Sequence, residues 1–248
     1  MKFRIIMAAL VAAFLAAVAG VPAAHAAAGS ASVDFLNNYV WRGQKLSDDN
    51  GVVQPSLDIS HRGFAANYWA NFDLDTGENT ETDFTLSYST AVKGIEGLEV
   101  GAGYIHYGLD GAPDTQEFYI SVAYGVFLNP SVTLYYDSDE GDGGFVIAGV
   151  SHSLDLARDM ALNLGFTASV NLEDRVMGFD STGKEFTGFY NGEVSGSVTI
   201  PVFEGVTIEP KVAWSFPLTN DARDAIESLN ADSQSSIVHG GVNFTYAF

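Results

Sequence analysis

Apolar and polar residues alternate along most of the chain that follows residue 31. Between Thr82 and Val92, for example, Phe84, Leu86 and Tyr88 are separated by polar neighbours. A period of two places these sets on opposite faces of a β-strand. The pattern predicts twelve strands, at Ala31–Arg42, Val53–Arg62, Phe64–Leu74, Thr82–Val92, Leu98–Tyr107, Thr115–Val126, Ser131–Asp137, Phe145–Leu154, Ala161–Val170, Phe186–Val202, Val206–Phe216 and Ile237–Phe248.

The connections between these strands alternate in kind. Those after the even-numbered strands are short, whereas those after the odd-numbered strands are mostly longer and polar. An even strand count with short turns at one end and long loops at the other is typical of bacterial outer-membrane barrels. We therefore predict an all-β fold, a transmembrane antiparallel up-and-down β-barrel of about 12 strands, formed by residues 27–248 as one domain.

The charged residues of the predicted strands all lie on the polar side of the alternation. A soluble β-sandwich would also alternate, but its polar face would be the exterior. In a barrel the apolar face contacts lipid and the polar face lines the lumen. The predicted lumen-lining charges are nine acidic and three basic residues: Asp34, Asp58, Asp73, Glu81, Asp83, Glu99, Glu117, Glu193 and Glu209, with Arg42, Arg62 and Lys211.

Aromatic residues on the apolar parity favour the barrel over the sandwich. They fall into two groups, as expected for rings at two membrane interfaces. The group toward the long loops comprises Tyr39, Trp41, Phe72, Phe84, Tyr104, Phe118, Tyr136, Tyr190, Trp214 and Phe216. The group toward the short turns comprises Phe64, Tyr88, Tyr124, Phe244 and Tyr246.

The first 26 residues have the pattern of a secretory signal peptide. Lys2 and Arg4 precede an apolar run, and Ala24-His25-Ala26 forms a small-x-small cleavage sequence. We predict cleavage after Ala26, with Ala27 and Ala28 as alternative positions. No later stretch reaches 18 consecutive apolar residues, so no transmembrane helix is predicted. The bacterial outer membrane is the expected location.

Composition removes several classes of function. Without Lys2 and Arg4 the chain has 9 basic and 31 acidic residues, a formal charge of −22, which disfavours nucleic acid as a partner. The absence of Cys excludes a thiolate metal site and a cysteine nucleophile. No cofactor and no metal site are predicted.

The C-terminal strand ends in an alternating aromatic face. Counting back from the terminus by twos gives a set that would close the barrel against the first strand. The same set is similar to the C-terminal signal read by the outer-membrane assembly machinery, which we expect as a partner. The predicted assembly signal consists of Val242, Phe244, Tyr246 and Phe248.

The N-terminal third resembles a known family. Tyr39-Val-Trp-Arg-Gly43, Leu46-Ser-Asp-Asp-Asn-Gly51, Gln54-Pro-Ser-Leu-Asp58 and Asn67-Tyr-Trp-Ala-Asn-Phe-Asp73 are similar to segments of the TorF family of porin-type proteins. The likeness covers roughly residues 33–84. It implies an outer-membrane barrel with a porin-type role and transfers no site residues.

The predicted lumen carries a net charge of −6 if every group is ionised, which indicates a path that favours cations. Small hydrophilic solutes are the expected cargo. A count of twelve strands is larger than that of barrels filled by side chains and smaller than that of porins with a wide channel. A narrow pore and a plugged lumen are therefore both compatible with the sequence. The inward aromatic residues that could narrow it are Trp69, Tyr107, Tyr119, Tyr135 and Phe189.

Two loops carry further expectations. Residues 137–144 superficially resemble a Ca²⁺ loop but lack the glutamate at its twelfth position. A solvated acidic loop is the simpler interpretation, with a cation bridge to lipopolysaccharide as the alternative. In the loop Pro217–Ser236, Asn220 or Asp221 could cap a short helix ending at Leu229, folded over the mouth or into it.

An enzyme and a non-conducting barrel are the rival classes. Some outer-membrane barrels are phospholipases with a lipid-facing Ser and His. Here Ser151 and His152 are adjacent in a strand and point to opposite faces, which excludes a local pair. We predict no enzymatic activity. A barrel that anchors, adheres or acts as a scaffold remains the alternative to a channel.

Overall fold

The computed structural model describes residues 28–248, so the predicted signal peptide (1–26) lies outside the described residues. Helix α1 spans Asn220–Leu229, and short 3₁₀ turns lie at Ala157–Asp159 and Arg175–Met177. In the described part no helix is long and apolar enough to cross a membrane. The strands are β1 (Ala28–Leu36), β2 (Val40–Trp41), β3 (Gln44–Lys45), β4 (Val52–His61), β5 (Phe64–Asp73), β6 (Asn79–Ala91), β7 (Leu98–Leu109), β8 (Thr115–Tyr124), β9 (Ser131–Asp137), β10 (Gly143–Asp155), β11 (Ala161–Leu172), β12 (Thr187–Phe203), β13 (Val206–Pro217) and β14 (Ile237–Ala247).

Twelve of these strands form one closed antiparallel barrel, as the sequence predicts. The last strand, β14, pairs with β1 from Ser30 opposite Ala247 to Leu36 opposite Gly241, and β1 also pairs with β4. A Cβ at Gly241 would collide with the carbonyl oxygen of Phe35, so only glycine permits this close approach. Closure leaves no unpaired edge for lipid to meet.

The apolar face of the alternation lies on the outside of the barrel. Ile120, Val212 and Val238 are 60%, 55% and 63% exposed, although each belongs to a fully paired strand. A soluble protein would bury such a continuous apolar surface. The polar residues of the same strands face inward, which excludes the sandwich and matches a barrel surrounded by lipid.

The two ends of the barrel differ less than expected, because the long-loop connections at residues 74–78, 110–114 and 138–142 are no longer than those at 92–97 and 125–130 of the opposite end. At one end the turns are tight: Arg62 and Gly63 have φ of 50° and 87°, the positive values that a two-residue hairpin requires. At the other end only three connections are long, at residues 37–51, 173–186 and 218–236. We call these the short-turn end and the long-loop end.

The first predicted strand is wrong in its second half. We expected strand from Ala31 to Arg42, with Tyr39 and Trp41 facing lipid, but β1 ends at Leu36. The chain then turns into the lumen, where Tyr39 is buried and Trp41 is half-buried. The alternation continues beyond Leu36 because the short strands β2 and β3 also have a period of two.

A β-bulge reverses two aromatic assignments in β12. Ala168 is opposite Gly192 and Val170 is opposite Phe189, so two residues of β12 face one of β11. The bulge turns Tyr190 into the barrel, where it is fully buried, and leaves Phe189 outside with 60% exposure. We predicted the opposite for both side chains.

The topology can be tested with a matched pair of insertions. Gly111 and Gly94 both lie in connections where a side chain would meet nothing within 4 Å, so a short protease-cleavable tag should be tolerated at either. We expect cleavage on intact cells only after Gly111, because long-loop ends of outer-membrane barrels face the exterior. Cleavage at Gly94 alone would mean that the barrel is inserted the other way round.

Candidate functional site: the lumen and its hairpin

The first long loop forms a hairpin inside the barrel. We define the hairpin as residues 38–50; its strands β2 and β3 pair with each other and with no barrel strand. Arg42 and Gly43 form its tip with φ of 50° and 85°. The Tyr39 amide donates to Ser47 Oγ at 2.9 Å, and this bond ties the two arms together.

Arg42 fixes the tip of the hairpin to the barrel wall. Its guanidinium donates to both oxygens of Glu117 on β8, at 2.7 and 2.8 Å. The guanidinium carbon lies 4.4 to 4.6 Å from the ring centroids of Trp41, Tyr135 and Phe145. The Tyr107 hydroxyl donates to the same Glu117 carboxylate at 2.7 Å. Cation–π contacts and a bidentate ion pair together offset the desolvation of a buried charge.

The other two long loops cover the hairpin at the long-loop end. We call residues 173–186 and 218–236 the cap. Met177 and Ile226 of the cap are fully buried in one cluster with Phe145 and Tyr190 of the barrel wall. The Tyr190 hydroxyl donates to the Met177 carbonyl at 2.9 Å. The bulge in β12 therefore supplies a wall residue on which the cap packs.

Helix α1 occupies the expected segment of the cap, and it folds into the mouth of the barrel. Its N-cap is Thr219, whose side-chain oxygen accepts from the Ala222 amide at 3.2 Å, and not Asn220 or Asp221 as expected. Ala222 and Ile226 are fully buried, whereas Leu229 is 42% exposed. The helix thus presents its small and branched residues to the barrel.

Polar bonds join the hairpin to the cap. Gln44 Nε2 donates to the Val176 carbonyl at 3.0 Å, and the Lys45 amide donates to Asn230 Oδ1 at 2.7 Å. The Lys45 ammonium contacts Asp49 at 2.8 Å and Asp232 at 2.5 Å. Hydrogen bonds from Lys45 hold the pKa of both carboxyls below the usual aspartate range.

Low pH should weaken the ion pairs of Lys45 that join the hairpin to the cap. The pKa values of Asp49 and Asp232 are lower in the folded protein than in the unfolded chain, where an aspartate titrates at about pH 4. Their contribution to stability is therefore complete above about pH 4 and is lost as the pH falls through the pKa values of the folded protein. We expect amide hydrogen exchange in the hairpin, corrected for intrinsic rate, to be faster at pH 3 than at pH 6. The Lys45→Met variant should lack this difference, and equal protection of the wild type at both values would contradict the prediction.

Five of the predicted lumen charges lie toward the long-loop end. Asp73 accepts from the amides of Asp75 and Thr76, at 2.8 and 2.9 Å, and thus shapes a turn. Arg42 is in the hairpin and not in a strand, so its place in the lumen comes from the loop. The set toward this end is Arg42, Asp73, Glu81, Asp83 and Glu117.

The remaining predicted charges lie toward the middle or the short-turn end. Lys211 of β13 forms an ion pair of 2.5 Å with Asp34 of β1, and only β14 lies between these two strands. Asp58 accepts from Asn67 Nδ2 at 2.8 Å. The His239 ring lies 3.4 Å from Glu193, a contact that parity alone could not predict. The set toward this end is Asp34, Asp58, Glu99, Glu193, Glu209 and Lys211, with Arg62 exposed in its turn.

The hairpin narrows the lumen without filling it. Below the tip is a cavity of about 470 Å³ whose lining includes Asp83, Tyr107 and Glu193. A second cavity of about 440 Å³ continues past Glu193 to Lys211. Above the tip, a third of about 340 Å³ opens beside Glu81. Trp41 and Tyr107 line both the first and the third cavities, so these two rings lie between the cavity above the tip and the cavity below it.

The acidic loop at residues 137–144 is built around protein bonds. Asp137 is buried and both of its carboxylate oxygens accept from Thr115 Oγ1, at 2.8 and 2.7 Å. Within residues 28–248 no group of three or more acidic or His side chains is arranged to hold a metal ion. Asp139, Glu140 and Asp142 are exposed, which agrees with the interpretation of a solvated acidic loop, whereas Asp137 is buried.

The fold and its surfaces define the class of this protein. A closed barrel of twelve strands with an apolar exterior, a polar lumen and loops inside its mouth is an outer-membrane β-barrel.

Comparison with known proteins supports the same class. The barrel is similar to the NanC porin in a rhombohedral crystal form, with a TM-score of 0.58, 10% identity and coverage of 88% of this chain and 98% of that chain. It is also similar to the COG4313 outer membrane channel from Pseudomonas putida F1, with a TM-score of 0.51, 10% identity and coverage of 92% and 97%. No protein-family model and no curated protein match the sequence. At this identity the likeness is one of fold.

Proposed function

We propose that this protein is a porin-like channel for passive diffusion of small hydrophilic solutes, with a preference for cations. The observation that carries the proposal is the series of cavities on both sides of the hairpin tip, which meet at Trp41 and Tyr107. A barrel that served only as an anchor would have no need of a polar cavity that continues below its plug. Both similar solved structures are channels by name, and neither is named as an enzyme.

The charges around this path support the cation preference. Glu193 and Glu209 line the cavities below the hairpin, whereas Lys211 is paired with Asp34 and Arg42 with Glu117. Since the cations are paired and several carboxylates are not, the field in the lumen is negative. A negative field in a narrow passage raises the local concentration of cations.

The partners that we propose follow from the membrane setting and from the sequence. Lipid and lipopolysaccharide would surround the apolar exterior, and the assembly machinery would read the C-terminal strand. The motifs between residues 33 and 84 support membership of the TorF family of porin-type proteins. A channel role agrees with that membership.

Reversal potentials across a KCl gradient test the preference. We expect the wild type to favour K⁺ over Cl⁻, with a bias that shrinks between 0.1 M and 1 M salt as the Debye length falls from about 10 Å to about 3 Å. Replacing Asp58 and Glu209 by Asn and Gln should reduce the bias while the heat-modifiable gel mobility of a folded barrel is retained. The matched control is Glu204→Gln, in a turn outside the lumen. An anion-selective wild type would refute the electrostatic proposal.

A non-conducting barrel is the second candidate, and the packing of the cap favours it. Met177, Ala225 and Ile226 are fully buried, so the long-loop end has a core like that of a stable domain. A cap of this kind could present a fixed surface for adhesion or as a scaffold. Absence of single-channel currents from correctly folded protein would support this candidate over the channel.

A further inference from the structure

Beside the hairpin tip, the lumen combines aromatic rings with a carboxyl group, that of Asp83, which has no basic partner among the described residues. On the barrel wall, Asp83 of β6 lies directly between Trp69 of β5 and Tyr107 of β7 in the strand register. All three side chains line the cavity of about 470 Å³ below the hairpin tip.

The hairpin adds two more rings to this group. The Tyr39 ring lies 5.4 Å from that of Trp69, and the Trp41 ring lies 5.9 Å from that of Tyr107. Each wall ring next to Asp83 is therefore held in place by a hairpin ring. Both centroid distances lie in the range in which aromatic rings attract each other.

The neighbouring Arg42 does not neutralise Asp83. Both of its donor groups that face the wall are bound by Glu117, at 2.7 and 2.8 Å. Within residues 28–248 no basic side chain forms an ion pair with Asp83, and Asp83 Oδ1 is buried without a hydrogen-bond donor. The half-buried carboxyl of Asp83 is instead hydrogen-bonded to that of Glu81, so two acidic groups adjoin here, and a cation beside them would offset their negative charge.

The rings decide which kind of cation fits best. Arg42 lies over Trp41, Tyr135 and Phe145, whereas no cationic side chain of the described chain lies over Trp69 or Tyr107. Aromatic faces attract cations that give up their hydration at low cost, and alkylated ammonium groups are the established example. Small inorganic cations hold their water more strongly and gain less from the rings.

We propose that Asp83, Trp69 and Tyr107, closed from above by Tyr39 and Trp41, form a binding site for a small organic ammonium ion. The inference rests on the proposed function in that the site would lie on the path of the permeating solute. The carboxylate of Asp83 balances the charge and the rings surround the alkyl groups. The channel would then select small amines among the cations that its negative field attracts.

Tryptophan fluorescence of folded protein in detergent tests binding without any need for conduction. Two of the three Trp residues, Trp41 and Trp69, lie at the site, and Trp214→Phe removes the third, which is on the barrel exterior. We expect a saturable change on titration with choline chloride, and none with NaCl at the same ionic strength. The uncharged choline analogue 3,3-dimethyl-1-butanol should not bind, because it lacks the charge that Asp83 balances.

Two variants and one control locate the site. Asp83→Asn and Trp69→Leu should each weaken choline binding by about tenfold, as expected for the loss of a charge partner or a cation–π ring. Glu209→Gln, which removes one negative charge from the lower cavity, should leave choline binding unchanged and lower only the K⁺ preference. Heat-modifiable gel mobility confirms that each variant is folded.

The outcomes separate this inference from the channel proposal. K⁺ currents without saturable choline binding would overturn the ammonium site and leave the channel intact. Saturable binding lost in Asp83→Asn, without any current, would support the site and refute the channel. Equal weakening by Glu209→Gln and Asp83→Asn would overturn the site, since it would show a general charge effect of the lumen.

Discussion

Removing the hairpin should increase the single-channel conductance several-fold. Leu36 and Val52 are paired across β1 and β4, so a short Gly-Ser turn can replace residues 38–50 without moving either strand. The deletion takes Tyr39, Trp41 and Arg42 out of the lumen and joins the cavities above and below them. Planar bilayer recordings of refolded protein measure the effect.

The same deletion carries a stability cost that must be controlled. Without Arg42, Glu117 is left buried and unpaired, and breaking a buried ion pair costs about 3–5 kcal/mol. Adding Glu117→Gln to the deletion removes that unpaired charge and should recover part of the loss. The matched control replaces residues 74–78, a connection at the same end that leaves the hairpin in place, and should conduct like the wild type. An unchanged conductance in the hairpin deletion would show that the cap alone closes the lumen.

Replacing Phe244 and Phe248 together by Asp should abolish barrel assembly. Phe244 packs edge-on against Phe35 of β1, with ring centroids 5.9 Å apart, at the seam where the barrel closes. Phe248 exchanges both backbone bonds with Gly29, at 2.9 and 2.8 Å. Two charges on this face would oppose insertion into lipid and, as we propose, recognition by the assembly machinery.

The readout is the heat-modifiable mobility of the protein in membrane fractions. A folded barrel migrates differently before and after boiling, and the double variant should show only the unfolded band. Asn243→Asp together with Thr245→Asp puts the same two charges on the opposite parity of β14 and should assemble far better. Normal assembly of the Phe244/Phe248 variant would show that the terminal aromatic face is not the signal.

Much of the fold can be predicted from the local alternation of apolar and polar residues. The period of two is sufficient to predict the twelve strands. It also predicts that the side chains of Asp83 and Glu193 point into the barrel and that those of Phe84 and Val212 point outward. Parity is local because each strand residue points opposite to its neighbours. The short turns are equally local, since Arg62-Gly63 provides its own positive φ values.

The narrowing of the lumen was decided only by the tertiary structure. Whether Trp41 and Arg42 extend β1 or enter the barrel depends on Glu117, Tyr135 and Phe145, which are at least 75 positions away along the chain. The alternation of the hairpin is the same in either case.

The exchange of Phe189 and Tyr190 has a similar cause. One additional residue in β12 reverses the parity beyond the bulge, and the composition of the strand does not mark the position. Tyr190 turns inward to receive the cap, a contact between segments that are distant in sequence. The sequence by itself therefore determines a barrel whose lumen is lined by more acidic than basic side chains, because strand faces follow from neighbouring residues. The hairpin, the cap and the ring-lined constriction require contacts across the closed barrel, which exist only once the chain has folded.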